Sequence, residues 1–511
     1  MSSQGFAVKK HSNSKHGAEA RRYKNFIGGH WVDSASRQDA PNINPANTDD
    51  VIGRVPLSTR DEARAAIEAA RAAYPAWRAV PAPQRGRILA KAVELCYQRK
   101  DEIAHTMTHE EGKPLGESRG EIQKSINLLE YYAGQAFRIE GCTYPSEMPQ
   151  TFVYTLRQPL GVVSCITPWN FPFCVPAWKI APALVAGNTV VFKPATNTPG
   201  CAEWLVKILD DAGVPKGVLN LIYGSGGMVG DELVNNPTVR ALSFTGSCEV
   251  GARVAQQAAA HLAKVTCEMG GKNPVLVMDD ADLDLAVEGV VQGAFGSTGQ
   301  RCTATSRVIL HQAIAEKFIG KLLERIGKIK VGDGMDDGIN MGPVVDRAQF
   351  ETDLRFIELA KEEGGQCLIG GSALTEGRLA KGYFVAPTVF DNVKPGQTVA
   401  QEEVFGPVLT VLRVNDFDEA LQVANGVKFG HTCAIYTADA NLAMKFTERI
   451  EAGMVHINQP TIGGEAQLPF GGIKATGYGH REMSEEGLNF FTELKTVFYD
   501  YTGTKRQTNI Y

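Results

Sequence analysis

Cys302 lies in the segment Phe295-Gly296-Ser297-Thr298-Gly299-Gln300-Arg301-Cys302-Thr303, and Glu268 lies upstream in Glu268-Met269-Gly270-Gly271-Lys272-Asn273. The pair suggests a thiol nucleophile and a carboxylate base, each carried by a glycine-rich turn. A thiolate attacks a carbonyl readily, and a carboxylate can activate the water that later removes an acyl group from sulfur. A cysteine alone signals little, because most intracellular cysteines behave as small hydrophobes. Glu268 alone would read as a surface carboxylate at a strand end. The following Met269-Gly270-Gly271 favours instead a tight turn with close backbone approach. Two further glycine-bearing turns, Gly224-Ser225-Gly226-Gly227 and Gly246-Ser247-Cys248-Glu249-Val250-Gly251, each stand between a strand pattern and a helix pattern. Neither is a plain dinucleotide fingerprint. Free N–H groups at a helix N-terminus beside a serine hydroxyl nonetheless suit a pyrophosphate.

The elements that would position these groups alternate between strand and helix, which favours an α/β architecture. Overlapping capping boxes in Ser58-Thr59-Arg60-Asp61-Glu62 predict a helix from about 61 to 73. Ile122, Ile126 and Leu129 recur at helical spacing within 119–138. From residue 160 a run of βα units follows. Strands are predicted at 161–166, 189–192, 218–222 and 241–244, with helices at 176–186 and 200–212. Continuous apolar strands imply a parallel sheet covered on both faces, with ligands beyond the carboxyl ends of its strands. The turns at Asn170, Lys193, Gly224 and Gly246 fall there. A second α/β block begins near Asn273, with a helix at 281–295 and strands near 404–413 and 431–437. The segment 491–499 reads as a terminal strand, whose Tyr499 and nearby Tyr501 either pair with another subunit or close the parent sheet.

A chain of 511 residues is long enough for two or three domains with large cores. Its 43% hydrophobic and 21% charged residues are ordinary for a globular protein. A net charge of -5 gives no basic footprint for nucleic acid. No apolar run approaches membrane-spanning length, and the start lacks the apolar core of a secretory signal. The polar, Lys- and His-bearing segment 1–22 fits a disordered cytoplasmic tail better than a transit peptide. The ten cysteines show no CxxC spacing and no His cluster, so neither a metal site nor a disulfide framework is indicated.

Seven blocks resemble the aldehyde dehydrogenase superfamily in its own order. They are Ile166-Thr167-Pro168-Trp169-Asn170-Phe171-Pro172, Lys193-Pro194-Ala195, Phe244-Thr245-Gly246-Ser247, the Glu268 and Cys302 segments, Glu403-Val404-Phe405-Gly406-Pro407, and Pro469-Phe470-Gly471-Gly472. The resemblance runs from about residue 25 to 500. It implies an aldehyde dehydrogenase fold with a Rossmann-like cofactor domain (23–140 and 161–272), an α/β catalytic domain (273–485) and a small β oligomerisation element (141–160 and 486–511). It further implies that Cys302 attacks the aldehyde, that the Asn170 amide and the Cys302 backbone N–H receive the oxyanion, and that Glu268 activates water, with Lys179 and Glu482 as a proton relay. Asn170 alone could equally cap a turn, and a buried Lys179–Glu482 pair could be structural only. For NAD or NADP the resemblance implies contacts from Thr167, Pro168, Trp169, Lys193, Thr196, Gly226, Gly230, Phe244, Gly246, Ser247, Gly270, Glu403 and Phe405.

Many NAD-preferring relatives carry Glu where this chain has Thr196. A neutral hydroxyl there removes repulsion of a 2′-phosphate, so NADP should be usable, with Lys193 adding positive charge. Within the family the chain is similar to the α-ketoglutaric semialdehyde (2,5-dioxopentanoate) dehydrogenase branch and its succinate-semialdehyde neighbour. The neighbour carries arginines where this chain has Trp178 and Gly296. Arg301 either engages a substrate carboxylate or braces its loop. Phe173, Trp178 and Phe470 would line a partly apolar tunnel, which keeps an aromatic aldehyde open. The expected partner is a small-molecule aldehyde, without nucleic acid or membrane, in a homodimer or homotetramer. A binding protein on the same fold would need none of Cys302, Glu268, Asn170 and Lys193.

Overall fold

The computed structural model describes residues 21–505. Five strands form the parallel centre of an eight-stranded sheet, in the order Lys264–Glu268, Val239–Thr245, Val162–Ile166, Thr189–Lys193, Leu219–Leu221. The chain starts in the middle at Val162–Ile166 and winds first to one side and then to the other, which creates a crevice at the carboxyl ends. Val163, Val190, Val191 and Phe192 have no exposed surface. Such double-sided burial is why these strands read as apolar runs rather than alternating patterns. The helices Cys174–Ala186, Pro199–Ala212 and Cys248–Ala259 connect them.

The second sheet has seven strands, in the order Gln366–Ile369, Thr388–Asp391, Val408–Val414, Thr305–His311, Asn273–Val277, Thr432–Tyr436, Met454–Ile457. All neighbours are parallel except the first pair. The Cys302 turn immediately precedes Thr305–His311, and the Glu403 turn precedes Val408–Val414. Residues entering strands of this sheet therefore meet residues leaving strands of the first.

The helix Arg60–Ala79 begins at the capping box read from the sequence. The Thr59 side chain accepts from Glu62 N, and Glu62 accepts from Thr59 N at 2.9 Å. It runs six residues beyond the expected end and carries Pro75 inside it. The longest helix, Ala82–Glu111, carries no sequence-level expectation. It ends at Gly112, whose φ of 95° lies in the left-handed region, and this turn directs Lys113 into the interior. The helix Leu115–Gln135 packs along it and against Cys174–Ala186.

Arg21 and Arg22 pair in parallel with Gly53 and Arg54, so the last two residues of the expected 1–22 tail form a strand. Residues 1–20 lie outside the described residues, as do 506–511 of the expected β element. The segment 273–485 does not keep to one sheet, because Gly477–Tyr478 pairs antiparallel with Cys267–Glu268. That pairing satisfies backbone groups at an otherwise open sheet edge. The terminal strand Thr492–Asp500 does not close the parent sheet. It pairs with Thr151–Pro159, which also pairs with Thr143–Tyr144, in a separate three-stranded sheet. Phe152, Leu156, Leu494, Phe498 and Tyr499 on it are exposed. Among the described residues no helix is long and apolar enough to cross a membrane.

Candidate active site

A cavity of about 680 Å³ lies where the two large sheets meet. Cys302 and Glu268 both line it, as do Asn170, Glu403 and Phe405. The Cys302 turn is held from several sides. Asn273 donates through Nδ2 to the carbonyl oxygens of Cys302 and Ala304, both at 2.8 Å. Glu117 accepts from the Ser297 backbone N–H at 3.1 Å and from its hydroxyl at 2.5 Å. Ser297 and Thr298 have φ of 49° and 58°, two successive non-glycine residues in the left-handed region. Such strain persists only where surrounding contacts over-determine it, and Glu117 supplies part of that restraint.

Asn170 Nδ2 donates to the Gln300 carbonyl at 3.0 Å. An amide has two N–H groups, and the other has no partner among the described residues. One N–H thus ties Asn170 to the Cys302 turn and leaves the second available to a ligand. The backbone of Asn170 is fixed by Lys113, whose Nζ donates to its carbonyl oxygen at 2.6 Å and to Glu121 Oε2 at 2.8 Å. Glu121 Oε1 in turn accepts from the backbone N–H of Phe173 and of Cys174, each at 3.0 Å. Lys113 and Glu121 are buried. Removing one member of a buried ion pair costs about 3–5 kcal/mol. Lys113→Met is accordingly expected to lower the thermal midpoint by several degrees and to depress kcat well beyond its effect on dinucleotide affinity. Thermal unfolding, kinetics and dinucleotide titration of one preparation read all three. An unchanged kcat would separate Lys113 from the placement of Asn170.

Cys302 is half-buried and lines the cleft. Burial, then the nearby Glu403 and Glu268 carboxylates, push its thiol up to about 12. Glu268 is buried at the end of Lys264–Glu268. Its carboxyl is held well above the usual range, first by burial and then by Glu482. Gly472 N donates to Glu268 Oε2 at 3.3 Å. A Cβ on Gly471, whose φ is 143°, would fall 2.1 Å from Glu268 Oε1, so only glycine leaves room for the carboxylate. Lys179 and Glu482 form a buried pair with Ser243, which donates to Glu482 Oε1 at 2.8 Å. Trp178 Nε1 donates to the other oxygen of Glu482 at 2.7 Å. Among the described residues no hydrogen bond joins Glu268 to this cluster, so it acts on Glu268 through charge.

Pro168, Trp169, Gly246, Ser247, Gly270 and Glu403 line the cleft beside Phe405. Trp169 meets Phe405 edge to face at 5.5 Å. Glu403 accepts from Gly271 N at 2.8 Å, and burial raises its carboxyl to about 7. Lys193 and Thr196 lie at and just beyond the end of Thr189–Lys193. The Lys193 ammonium is buried with, among the described residues, only the Pro194 carbonyl as partner, at 3.2 Å, and burial lowers it to about 8. Gly230 is next to its methylenes, while Gly226 has open space above it at the start of one turn of π-helix. Thr167 Oγ1 and Thr245 Oγ1 are buried without partners. A buried cation held by one carbonyl, two unpartnered hydroxyls and the Ser247-capped helix N-terminus fit a dinucleotide. Phe244 lies beneath Gly246 in the core and does not line the cleft.

On the substrate side Trp178 and Phe470 line the cleft with their rings 5.2 Å apart. Phe173 does not. It has no exposed surface and packs into the core at the start of Cys174–Ala186. Phe171, two residues earlier and half-buried, lines the cleft in its place, because the turn before the helix reverses which side chains face inward. Arg301 lines the cleft, and it already donates to Glu117 at 3.3 Å and to Ser297 Oγ at 2.9 Å. Sequence reasoning missed Lys113, Glu117, Glu121, Lys124 and Asn273. A signal existed for three of them: Glu117, Glu121 and Lys124 are spaced i, i+4, i+7 and share one helix face.

The profile described as "Aldehyde dehydrogenase family" matches residues 31–497. The chain is 46% identical over 480 residues to the alpha-ketoglutaric semialdehyde dehydrogenase of Bacillus subtilis, covering 94% of this chain and 98% of that one. It is 45% identical over 471 residues to the 2,5-dioxopentanoate dehydrogenase of Saccharolobus solfataricus, covering 92% and 97%. The crystal structure of betaine aldehyde dehydrogenase from Staphylococcus aureus in complex with NAD+ superposes with a TM-score of 0.92 at 35% identity, covering 94% and 95%.

Proposed function

The chain belongs to the aldehyde dehydrogenase family, and from that premise we propose that it oxidises a semialdehyde of the α-ketoglutaric type through a thioester on Cys302. The observation that carries the reading is the convergence of the Cys302 thiol, the Glu268 carboxyl and the Asn170 amide on one cleft.

The thiolate of Cys302 adds to the aldehyde carbon, and the carbonyl electron pair moves to oxygen. The free amide N–H of Asn170 and the backbone N–H of Cys302 then stabilise that oxyanion. One such donor is worth about 10²–10³ in rate. NAD(P)+ when bound supplies a hydride acceptor and a positive charge. Lys193, Ser247, Glu403 and Phe405 are the residues that would hold it. Collapse of the oxyanion breaks the aldehyde C–H bond, its electron pair leaving as hydride to that acceptor, and leaves a thioester on Cys302. Glu268 takes a proton from water as the water attacks that acyl carbon, which expels the Cys302 thiolate, releases a carboxylic acid and leaves Glu268 to pass its proton to solvent.

The substrate assignment draws on the likeness to the Bacillus and Saccharolobus enzymes. Succinate semialdehyde and an aromatic aldehyde are the alternatives that the Trp178–Phe470 walls admit. A panel of kcat/KM values over α-ketoglutaric semialdehyde, succinate semialdehyde and benzaldehyde tests it. A higher value for benzaldehyde would overturn the semialdehyde reading. We also propose that the exposed face of Thr143–Tyr144, Thr151–Pro159 and Thr492–Asp500 pairs subunits in a homodimer or homotetramer, and that the enzyme works in the cytoplasm, where ten free thiols stay reduced.

Thr196 is expected to admit the 2′-phosphate of NADP. Thr196→Glu should therefore lower kcat/KM for NADP about 10- to 100-fold relative to NAD, equivalent to about 1.4–2.8 kcal/mol. NAD should gain or stay level, since the carboxylate can accept from the ribose hydroxyls. An unmoved ratio would show that Thr196 does not face the ribose.

A further inference from the structure

Two cationic side chains line the cleft, Lys124 and Arg301. They differ in what they already hold. The Arg301 guanidinium is paired with Glu117 and bonded to Ser297, so a substrate carboxylate would have to displace Glu117 to reach it. Lys124 has no ion pair or hydrogen bond among the described residues. Its ammonium stands 5.7 Å from the ring centre of Trp178 and 5.9 Å from that of Phe470. Ring faces attract a cation without neutralising it, so the charge remains available to a ligand.

Position adds a second argument. Lys124 lines both the cleft and a neighbouring hollow of about 740 Å³, which places it where the two meet. Its charge acts on the Cys302 thiol against the effect of burial, so the two ends of the site are within electrostatic reach. Glu117, Glu121, Glu268 and Glu403 also line the cleft. That excess of carboxylates disfavours an anionic substrate unless a cation meets its charged end. We propose that Lys124 binds the remote carboxylate of the substrate and so selects acid semialdehydes over neutral aldehydes of equal length. This rests on the semialdehyde reading above and names the group that enforces it. The apolar walls of Trp178 and Phe470 hold the chain between the two ends, while their faces hold Lys124 in place.

The test uses the full-length enzyme and a length-matched pair, succinate semialdehyde and butanal, with α-ketoglutaric semialdehyde as a second acid. For Lys124→Met and Lys124→Gln the ratio of kcat/KM for acid to neutral aldehyde should fall about 10- to 100-fold. The change should appear in KM for the acids more than in kcat. Lys124→Arg should recover most of it, because the charge is retained. The ratio is internal to each protein, so a reduced folded fraction cancels. A wild-type preference for the acids that survives Lys124→Met overturns the role of Lys124 and leaves the semialdehyde reading standing. Equal losses for acid and neutral aldehydes likewise reduce Lys124 to a structural group. A wild-type enzyme with no preference for the acids overturns both.

Discussion

Cys302→Ala is expected to bind dinucleotide and to oxidise aldehydes at least about 10⁴-fold more slowly than the parent protein, the scale on which loss of a covalent nucleophile is felt. Acidity does not single this thiol out. Burial pushes Cys165, Cys174 and Cys267 up to about 12, the same value as Cys302. Access and partners do. Of the ten cysteines only Cys302 lines the cleft, and only its turn is bonded to Asn170 and Asn273. Cys142 is exposed but far from these groups in the chain, and Cys248 sits at the start of the helix behind Ser247. Because the resting thiol is raised, the acylation rate should climb with pH as Cys302 ionises and level off once the thiolate dominates. Single-turnover absorbance of the reduced dinucleotide measures this step directly. Residual turnover above about 1% in the alanine protein would mean that another group attacks the aldehyde.

The parallel core was legible because its strands are buried on both faces, and continuous runs such as Thr189–Lys193 have no competing helical reading. Helix starts with a chemical cap, such as Thr59 with Glu62, were legible for a local reason as well. Ala82–Glu111 was not, since its buried side includes Arg85, Thr108, Glu110 and Glu111, which spoil the apolar periodicity. Those charges are buried because partners arrive from far along the chain. Glu110 accepts from Asn42, Tyr23, Gly200 and Cys201. The same holds in the site. Cys302, Glu268 and Asn170 stand in recognisable turns, whereas Lys113 gains its meaning only from contact with Asn170, 57 positions later. Phe173 and Phe171 show the limit in miniature. Both are aromatic and both flank Pro172, and only the direction of the turn decides which one faces the cleft.

Glu268→Gln should leave the first turnover fast and make every later one slow. The amide keeps the size of the side chain and can still receive the N–H of Gly472, so the cleft should retain its shape. It cannot take a proton from water, so the acyl group on Cys302 should persist. The expected trace is a burst of reduced dinucleotide equal to the active sites, followed by a steady rate about 10²–10⁴-fold below the parent. The pH dependence supplies an independent check. Burial and the nearby Glu482 hold the Glu268 carboxyl above its usual range, with Lys179 and Arg481 opposing. The protonated form is therefore favoured at low pH and is inactive as a base. Deacylation in the parent enzyme should rise with pH as Glu268 ionises, then level off. In Glu268→Gln that rising limb should vanish from the post-burst rate, while the burst itself still quickens with pH as the Cys302 thiol ionises. Equal loss of burst and steady state would instead place Glu268 in acylation, as the group that removes the thiol proton. A preserved rising limb would assign the water-activating proton transfer to a different residue, and the Lys179–Glu482 pair would be the first to substitute.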